Sequence, residues 1–260
     1  MGLSPEKILT GLKFISRLDT FPIFCGYLLM ILLASQWKKF TSPLNLRPIL
    51  VVYNLTASAV SVYTMFGFFY GMLQAESSFQ ASPMESLKPV FKVYAIVKIF
   101  ELLDTVFMIL RHRQRQISFL HVYHHSSMLI LSDIGYNYYP YPAMTSYLCL
   151  NSAVHVVLYL YYGLCALFPD QPPQWKKFLT QFQIIQFLID LIHATIGYIY
   201  YTYCIYGIFY GFTMLSLFSN FYYKAYIKKS GAKPTSDIKS KSNGNSVKNG
   251  STLNGTKKNT

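Results

Sequence analysis

Charged side chains are scarce in this sequence. Asp, Glu, Lys and Arg make up 13% of its 260 residues, whereas soluble domains carry about 25%. Hydrophobic types make up 52%, and the chain holds 23 Tyr and 20 Phe. The shortage of charge excludes the surface of an ordinary soluble domain and indicates a protein with several membrane-spanning segments.

Acidic residues are scarcer than basic ones, ten against 23, so the formal net charge is +13. A basic balance of this size is one mark of nucleic-acid binding. Nine of the 23 Lys and Arg, however, lie between Lys224 and the C-terminus. This distribution argues against a nucleic-acid-binding surface, so no nucleic-acid partner is expected.

Cysteine is also scarce, and the four cysteines lie far apart in apolar segments without a CxxC pair. This spacing argues against a disulfide framework and against a structural zinc site. The cysteines are Cys25, Cys149, Cys165 and Cys204.

No cleavable signal peptide is predicted, because the first 19 residues are amphipathic and lack a central apolar run.

Long apolar runs, in contrast, are abundant. A spanning helix needs roughly 20 mostly apolar residues, and only helices satisfy their own backbone hydrogen bonds in lipid at this hydropathy. The predicted fold class is therefore all-α, with seven transmembrane helices in a membrane domain of residues 20–228. The predicted spans are 20–36, 49–73, 90–110, 117–134, 142–167, 179–200 and 204–223.

Lys and Arg collect in alternate loops. The loops after the first, third and fifth predicted spans hold three, three and two of them, whereas the loop 135–141 holds none. Because cytoplasmic loops carry the excess of Lys and Arg, residues 1–19 are predicted to be lumenal and the tail, residues 229–260, cytosolic.

The tail is rich in Lys, Ser, Asn and Gly and is predicted to be disordered. It ends in Lys257-Lys258-Asn259-Thr260, which resembles the dilysine retrieval signal of endoplasmic reticulum membrane proteins. Such a signal must face the cytosol, as the loop charges predict. Two glycosylation sequons, at Asn249 and Asn254, should then stay unmodified.

Ionisable residues occur inside the third predicted span. Lys98, Glu101, Asp104 and Thr105 fall within one arc of roughly 120° on a helix, so they are expected to face the bundle interior rather than lipid. Two interpretations are compatible: an ion pair that holds helices together, and a polar wall around a reaction site.

The fourth predicted span carries an HxxHH box, preceded by Gln116. His121, His124 and His125 share one helix face, and three imidazoles at membrane depth are costly enough to indicate function. Imidazole can serve as a metal ligand, a general base or a nucleophile, and the box alone leaves these roles open.

The fifth and sixth predicted spans each carry a polar stripe as well. Together the four spans predict one enclosed site between helices, near the cytosolic half of the membrane. Helix–helix hydrogen bonding also explains the glutamines of the sixth span, and packing also explains its Asp and His. The stripes are Asn151, His155, Tyr159 and Tyr162 in the fifth span, and Thr180, Gln183, Gln186, Asp190 and His193 in the sixth.

In this order the stripes resemble the motifs of the fatty acid elongases, the very-long-chain 3-oxoacyl-CoA synthases of the endoplasmic reticulum. That family shows KxxExxDT, HxxHH, HxxMYxYY and TxxQxxQ, and the resemblance covers residues 20–228. The chain departs at Leu158, where the family usually has Met, an apolar exchange of similar volume. The stretch 116–125 resembles members that elongate polyunsaturated chains. The matching segments are 98–105, 121–125, 155–162 and 180–186.

The resemblance implies a condensing acyltransferase. An acyl-CoA donates its acyl chain, malonyl-CoA loses carbon dioxide, and the product is a 3-oxoacyl-CoA two carbons longer. His124 would be the nucleophile that forms an acyl-imidazole, with His155 opposite it in acid–base chemistry or holding the thioester carbonyl. His121 and His125 would orient His124 or assist decarboxylation. The supporting polar shell would comprise Lys98, Glu101, Asp104, Thr105, Asn151, Tyr159, Tyr162, Gln183 and Gln186.

The resemblance implies no cofactor and no metal, with acyl-CoA and malonyl-CoA as the substrates. Basic loop residues could attract the CoA phosphates, although the Lys/Arg bias of cytosolic loops explains them equally well. Apolar side chains between the helices would line a tunnel for the acyl chain. Implied partners are the lipid bilayer, the 3-oxoacyl-CoA reductase, the dehydratase and the enoyl reductase, and a homodimer is left open. The basic loop residues are Arg111, Arg113, Lys176 and Lys177.

Two other classes fit part of the pattern. Iron-dependent membrane desaturases and hydroxylases use several histidine boxes, whereas this chain has six histidines in all and one box. A seven-helix receptor or transporter gives no reason for four stripes to match one enzyme family. Metal analysis tests the first alternative, and binding without turnover would support the second.

Overall fold

The computed structural model describes residues 5–228, with side chains from residue 9 onward. Within that range it contains nine α-helices and no strand, so the all-α prediction is confirmed. Five helices carry proline in the first turn, where a backbone N–H would lack a helical partner anyway. The helices are α1 Pro5–Ile15, α2 Phe21–Phe40, α3 Arg47–Gln74, α4 Lys88–Phe100, α5 Leu103–Leu110, α6 Phe119–Tyr138, α7 Pro142–Leu167, α8 Lys176–Tyr200 and α9 Tyr206–Tyr222.

Four of the described helices, α2, α3, α7 and α8, are long and apolar enough to cross a membrane. They match the first, second, fifth and sixth predicted spans. α6 has 20 residues, but its histidine box lowers its hydropathy, and α9 has only 17. The structure thus supports several spans, while the count of seven stays a prediction.

The third predicted span is interrupted. α4 ends at Phe100 and α5 begins at Leu103, and the backbone N–H groups of Leu102, Asp104 and Thr105 bond to carbonyls three residues back. Such bonds wind the chain more tightly than an α-helix does. The prediction of one continuous helix over 90–110 is wrong here, because apolar periodicity does not register a single tightened turn.

The basic loops meet at one end of the bundle. The N–H of Leu44, after α2, donates to the carbonyl of Leu110 at the end of α5 (3.0 Å). Arg47, at the start of α3, donates to the carbonyl of Leu167 at the end of α7 (2.9 Å). This grouping agrees with the loop charges, and which end faces the cytosol stays a prediction.

The opposite end holds α1, which lies within the predicted lumenal segment 1–19. Phe14 of α1 packs against Tyr138 at the end of α6, with ring centroids 5.1 Å apart. The N–H and hydroxyl of Thr20 both donate to Asp133 of α6 (3.1 and 2.7 Å). The predicted disordered tail, residues 229–260, and its dilysine ending lie outside the described residues.

α3 packs against α7 and α4, two of the helices that carry polar stripes. Ser58 donates to the carbonyl of Val156 on α7 (2.9 Å), and Thr64 donates to Ser152 (3.0 Å). On another side, Gly67 faces α4 so closely that a Cβ there would lie 2.7 Å from Val90 Cγ2. Small residues permit such close helix contacts, which hold α4 and α7 in place.

Candidate active site

A buried ion pair lies where α4 gives way to the tight turn. Lys98 Nζ lies 2.8 Å from Glu101 Oε1, and both side chains are almost completely buried (2% and 3% exposed). Burying a charge is costly unless it is paired and hydrogen-bonded. The predicted polar stripe of the third span therefore contains the ion pair that the sequence allowed.

Asn151 of α7 completes the surroundings of Lys98. Its Oδ1 accepts hydrogen bonds from Lys98 Nζ (3.0 Å) and from the Tyr94 hydroxyl (2.7 Å). The Lys98 ammonium also lies 4.6 Å from the centroid of the Tyr94 ring. Tyr94 was not predicted, although its position one helical turn before Lys98 is a signal that could have found it.

His155 also contacts the Glu101 carboxylate. Its Nδ1 lies 2.9 Å from Glu101 Oε1, but the geometry is not that of an aligned hydrogen bond. The contact is therefore electrostatic in character. Glu101 Oε1 faces both Lys98 and His155, whereas Glu101 Oε2 is buried without a hydrogen-bond partner among the described residues.

Asp104 lies beyond the turn and has a different partner. The Tyr159 hydroxyl donates to Asp104 Oδ2 (2.8 Å), and the ring of Tyr53 packs edge-on against Tyr159, with centroids 6.0 Å apart. Tyr162, predicted to share this stripe, is 43% exposed and packs on Tyr161. Tyr162 is therefore not part of the buried hydrogen-bond network.

The HxxHH box occupies the first turns of α6. Ser118 caps the helix by accepting the N–H of His121, as short hydroxyl side chains do at N-caps. The His121 ring lies 4.4 Å from that of His125, and His124 lies 5.5 Å from His125, centroid to centroid. The box thus forms one cluster of three rings.

Two contacts join the box to the other helices. His121 Nε2 lies 2.8 Å from Thr105 Oγ1 on α5, and the His124 ring centroid lies 6.3 Å from that of His155 on α7. The structure thus brings the third, fourth and fifth predicted stripes together, as their shared placement inside the membrane predicts.

An apolar wall borders His124. Phe187 of α8 and Phe218 of α9 present their rings edge-on to the imidazole, with centroids 6.5 and 6.4 Å away, and Met214 packs with them. His124 Nδ1 is buried and has no hydrogen-bond partner among the described residues. Its lone pair or proton is therefore available. A tunnel for an acyl chain stays a prediction.

Among the described side chains, the polar groups of the sixth predicted stripe make no hydrogen bond to the histidine cluster, whereas their apolar neighbour Phe187 borders His124. The Gln186 amide donates to Asp190 on its own helix (3.1 Å), and Thr180 lies near the Tyr226 hydroxyl. Gln183 is half-buried and takes no part in the hydrogen-bond network given by the described side chains. The roles predicted for these polar groups stay predictions.

His193 lies in an aromatic cluster rather than in the histidine box. Its ring stacks on Phe79 (centroids 4.4 Å apart) and meets Tyr147 edge-on (4.8 Å). The packing interpretation, which the sequence left open for this residue, fits these contacts.

Basic side chains lie at the end of the bundle where α5 stops and α8 starts. Arg113, Lys176 and Lys177 are exposed, whereas Arg111 is half-buried. Burial, with Arg113 nearby, lowers the pKa of the Arg111 guanidinium, as expected where cations gather without an opposing charge. A phosphate-bearing ligand would relieve that repulsion.

Metal ligation was one role left open for the box. Among the side chains that the structure describes, no three His, Cys, Asp or Glu are grouped so that they could hold a metal ion together. Of the box rings, His121 has a hydroxyl as its partner. The expectation of no metal is tested by metal analysis of the purified protein.

Comparison with known proteins points to one family. Residues 16–234 match the ELO family, described as the GNS1/SUR4 family. The chain is 34% identical over 241 residues to very long chain fatty acid elongase 5 of Rattus norvegicus, covering 87% of this chain and 80% of that protein. It is 33% identical over 241 residues to the Homo sapiens elongase 5, with the same coverage. It is 34% identical over 228 residues to very long chain fatty acid elongase 2 of Mus musculus, covering 82% and 78%.

The matched range contains all four motifs and every residue of the buried cluster. Because the match covers most of the chain, the desaturase and receptor alternatives lose their support. The protein belongs to the ELO family of very long chain fatty acid elongases.

Proposed function

We propose that this chain catalyses the condensing step of fatty acid elongation in the endoplasmic reticulum membrane. It joins malonyl-CoA to a long-chain acyl-CoA, with polyunsaturated chains as the proposed substrate class, and releases carbon dioxide and CoA to yield a 3-oxoacyl-CoA. Family membership supports the reaction class. The assignment of individual residues rests on one observation: Glu101 makes a buried contact with Lys98 and His155, and His155 lies close to His124.

His124 is the proposed nucleophile. Its Nδ1 has no hydrogen-bond partner among the described residues, and the rings beside it, Phe187 and Phe218, are apolar, so a ring nitrogen is free to act as the nucleophile. In the first step an imidazole nitrogen attacks the thioester carbonyl. The carbon–sulfur bond breaks, CoA leaves as the thiol after taking up a proton, and an acyl-imidazole remains.

His155 is the proposed acid–base partner. Because Nδ1 faces Glu101 Oε1, a proton on Nδ1 is stabilised by the carboxylate, which leaves Nε2 to accept or return a proton. Lys98 faces the same oxygen, so a positive charge balances the carboxylate when His155 is neutral. The pair keeps His155 oriented toward the box.

The second step uses malonyl-CoA. Loss of carbon dioxide leaves the enolate of acetyl-CoA, whose carbon attacks the acyl-imidazole carbonyl. The bond to the His124 nitrogen breaks, and the imidazole takes up a proton that His155 Nε2 returns. The basic end of the bundle, with Arg111, Arg113, Lys176 and Lys177, is proposed to hold the CoA phosphates, since Arg and Lys bind phosphate by charge-assisted hydrogen bonds. No cofactor takes part in this scheme.

The elongase relatives and the apolar helices indicate a membrane-embedded protein of the endoplasmic reticulum. The dilysine-type ending is proposed as its retrieval signal. The reductases and the dehydratase that process a 3-oxoacyl product are the proposed partners. A homodimer is also proposed, and the molecular mass of the purified protein in detergent tests it.

The test separates the half-reaction from turnover. Purified protein is incubated with acyl-CoA alone, and the adduct is located by mass spectrometry of peptides from α6. We expect an acyl group on the peptide that contains His124 and none in His124→Ala. With labelled malonyl-CoA added, the wild-type protein extends the chain by two carbons and the variant does not.

His112 provides the matched control. It lies in the loop after α5 with a positive φ of 57°, where Asn is tolerated better than most residues, and its ring bonds to Thr41 (3.0 Å). His112→Asn should retain the adduct and the extension. An adduct that persists in His124→Ala would refute the nucleophile, and no extension by well-expressed wild-type protein on any acyl-CoA would refute the condensing function.

A further inference from the structure

A chain of three side chains runs from α2 through α5 to the histidine box. The Tyr27 hydroxyl lies 3.1 Å from Thr105 Oγ1, and Thr105 Oγ1 lies 2.8 Å from His121 Nε2. Tyr27 is 4% exposed and Thr105 is completely buried. Tyr27 belongs to none of the four motifs, so no sequence pattern connects it with the site.

The number of available protons sets the direction of these hydrogen bonds. The Thr105 hydroxyl has one proton and can donate it to Tyr27 or to His121. Among the described side chains, the Tyr27 hydroxyl forms its hydrogen bond with Thr105. If Thr105 donated to Tyr27, the buried phenolic proton of Tyr27 would have no acceptor, which is unfavourable. Tyr27 therefore donates to Thr105, and Thr105 donates to His121.

We propose that Tyr27, acting through Thr105, holds His121 as the neutral tautomer with its proton on Nδ1. A nitrogen that accepts a hydrogen bond carries no proton, so Nε2 is the acceptor and Nδ1–H is the single donor of the ring. His121 is then a hydrogen-bond donor rather than a general base. Tyr27 is a positioning residue for it.

This assignment deepens the proposed function and rests on it for the role of His121. Condensation develops negative charge on a thioester oxygen, first in acyl transfer and then in the enolate. A donor prepared in advance stabilises such charge more effectively than one that must reorient. A fixed Nδ1–H therefore suits an elongase box better than a ring that alternates between tautomers.

The tautomer can be measured without catalysis. Protein labelled with ¹⁵N at histidine is placed in lipid nanodiscs, and the ¹⁵N shifts distinguish protonated from unprotonated ring nitrogens. His121→Gln identifies the His121 signals by their loss. We expect Nε2 unprotonated in the wild-type protein and a mixture of tautomers in Tyr27→Phe. Protonated Nε2 in the wild-type protein would overturn the proposal, whether or not Tyr27→Phe folds.

Kinetics provide the second readout. Tyr27→Phe should lower kcat by about tenfold with little change in KM, as expected for one lost buried hydrogen bond. Thr105→Ser, which keeps the hydroxyl, should retain most of the activity, whereas Thr105→Val should lose more than Tyr27→Phe does. A kcat and a pH profile for Tyr27→Phe equal to those of the wild-type protein would overturn the proposal.

Tyr222→Phe is the matched control. The Tyr222 hydroxyl accepts a hydrogen bond from Gln181 (3.1 Å), so this variant also loses one helix–helix hydrogen bond of a tyrosine, but at the contact of α8 with α9. We expect its kcat and its histidine signals to match those of the wild-type protein. An equal loss of kcat in both Phe variants would mean that Tyr27 acts on stability alone. A wild-type protein with the expected tautomer but no two-carbon extension would refute the proposed function instead.

Discussion

Glu101 is the residue on which the buried cluster depends. Its Oε1 faces Lys98 Nζ at 2.8 Å and His155 Nδ1 at 2.9 Å, so one oxygen serves a structural partner and a proposed catalytic one. A buried ion pair adds little net stability, but removing one member leaves an uncompensated charge. The same carboxylate therefore links the stability of the fold to the orientation of His155.

We predict that Glu101→Gln lowers both stability and activity. Leaving Lys98 without its counter-charge should cost about 3–5 kcal/mol, seen as a lower thermal midpoint in detergent. Activity should fall about tenfold or more, because His155 loses the group that orients it. Incorporation of labelled malonyl-CoA measures the second effect.

The chain contains a matched pair for comparison. Glu85 and Lys88 have the same spacing and a similar distance (2.9 Å), but their side chains are 77% and 49% exposed. Exposed pairs contribute little, so Glu85→Gln should leave both measurements nearly unchanged. Equal effects of the two substitutions would mean that burial of the Glu101 pair has no special consequence.

The sequence predicted those site residues correctly that are polar and lie inside apolar runs. Lys98, Glu101 and His155 stand out inside apolar runs, and the structure brings them into contact. Tyr27 and Tyr94 were missed because tyrosine is common in this chain, with 23 copies, and an amphipathic ring is expected in a membrane protein anyway. Their partners are visible only when helices are packed.

At the scale of elements, the close contact of α3 with α4 depends on a glycine, Gly67, which has no Cβ. A Cβ at Gly67 would lie 2.7 Å from Val90 Cγ2 and 3.2 Å from its Cβ. Val90 is branched at Cβ and has little rotamer freedom in a helix. The two helices must therefore separate if Gly67 gains a side chain.

We predict that Gly67→Ala destabilises the protein by about 1–3 kcal/mol through overpacking. The thermal midpoint in detergent measures it. Gly26→Ala on α2 is the control, since a Cβ there would meet nothing within 4 Å, and helix propensity alone favours Ala by about 0.5–1 kcal/mol. A neutral or stabilising Gly67→Ala would contradict the close approach of α3 to α4.

Helix existence was predictable from hydropathy, whereas helix continuity was not. The runs that became α2, α3, α7 and α8 are long and apolar, and hydropathy alone identifies such runs. The turn between α4 and α5 involves only three N–H groups that shift to carbonyls three residues back. That local change leaves the residue pattern intact, so no periodicity marks it.

At the scale of the whole molecule, the grouping of loops gives a topology that can be tested. The loops after α2, α5 and α7 share one end, as the contacts of Leu44 and Arg47 show. If that end is cytosolic, the loop between α3 and α4 is lumenal. The loop charges predicted the grouping correctly, but they assign the side only by statistical rule.

We predict that the native sequons at Asn249 and Asn254 carry no glycan in microsomes, because glycosylation takes place in the lumen. Glu76→Asn creates a sequon with Ser77 and Ser78 in the loop between α3 and α4, and this variant should gain a glycan. An endoglycosidase shift on gels measures both. A shift of the unaltered protein would reverse the orientation and place its ending in the lumen.

The spacing of Lys98 and Glu101 also bears on how the chain enters the bilayer during synthesis. The two residues are only three positions apart in the chain, so their contact requires no other helix. A lone charge in the middle of a spanning helix costs about 2.5–3.5 kcal/mol on insertion, whereas two opposite charges one turn apart can enter together as a nearly neutral unit. The Lys98–Glu101 pair can therefore enter the membrane before Asn151 and His155 have been synthesised. When α7 follows, its two polar residues join a pair of charges that is already in the membrane.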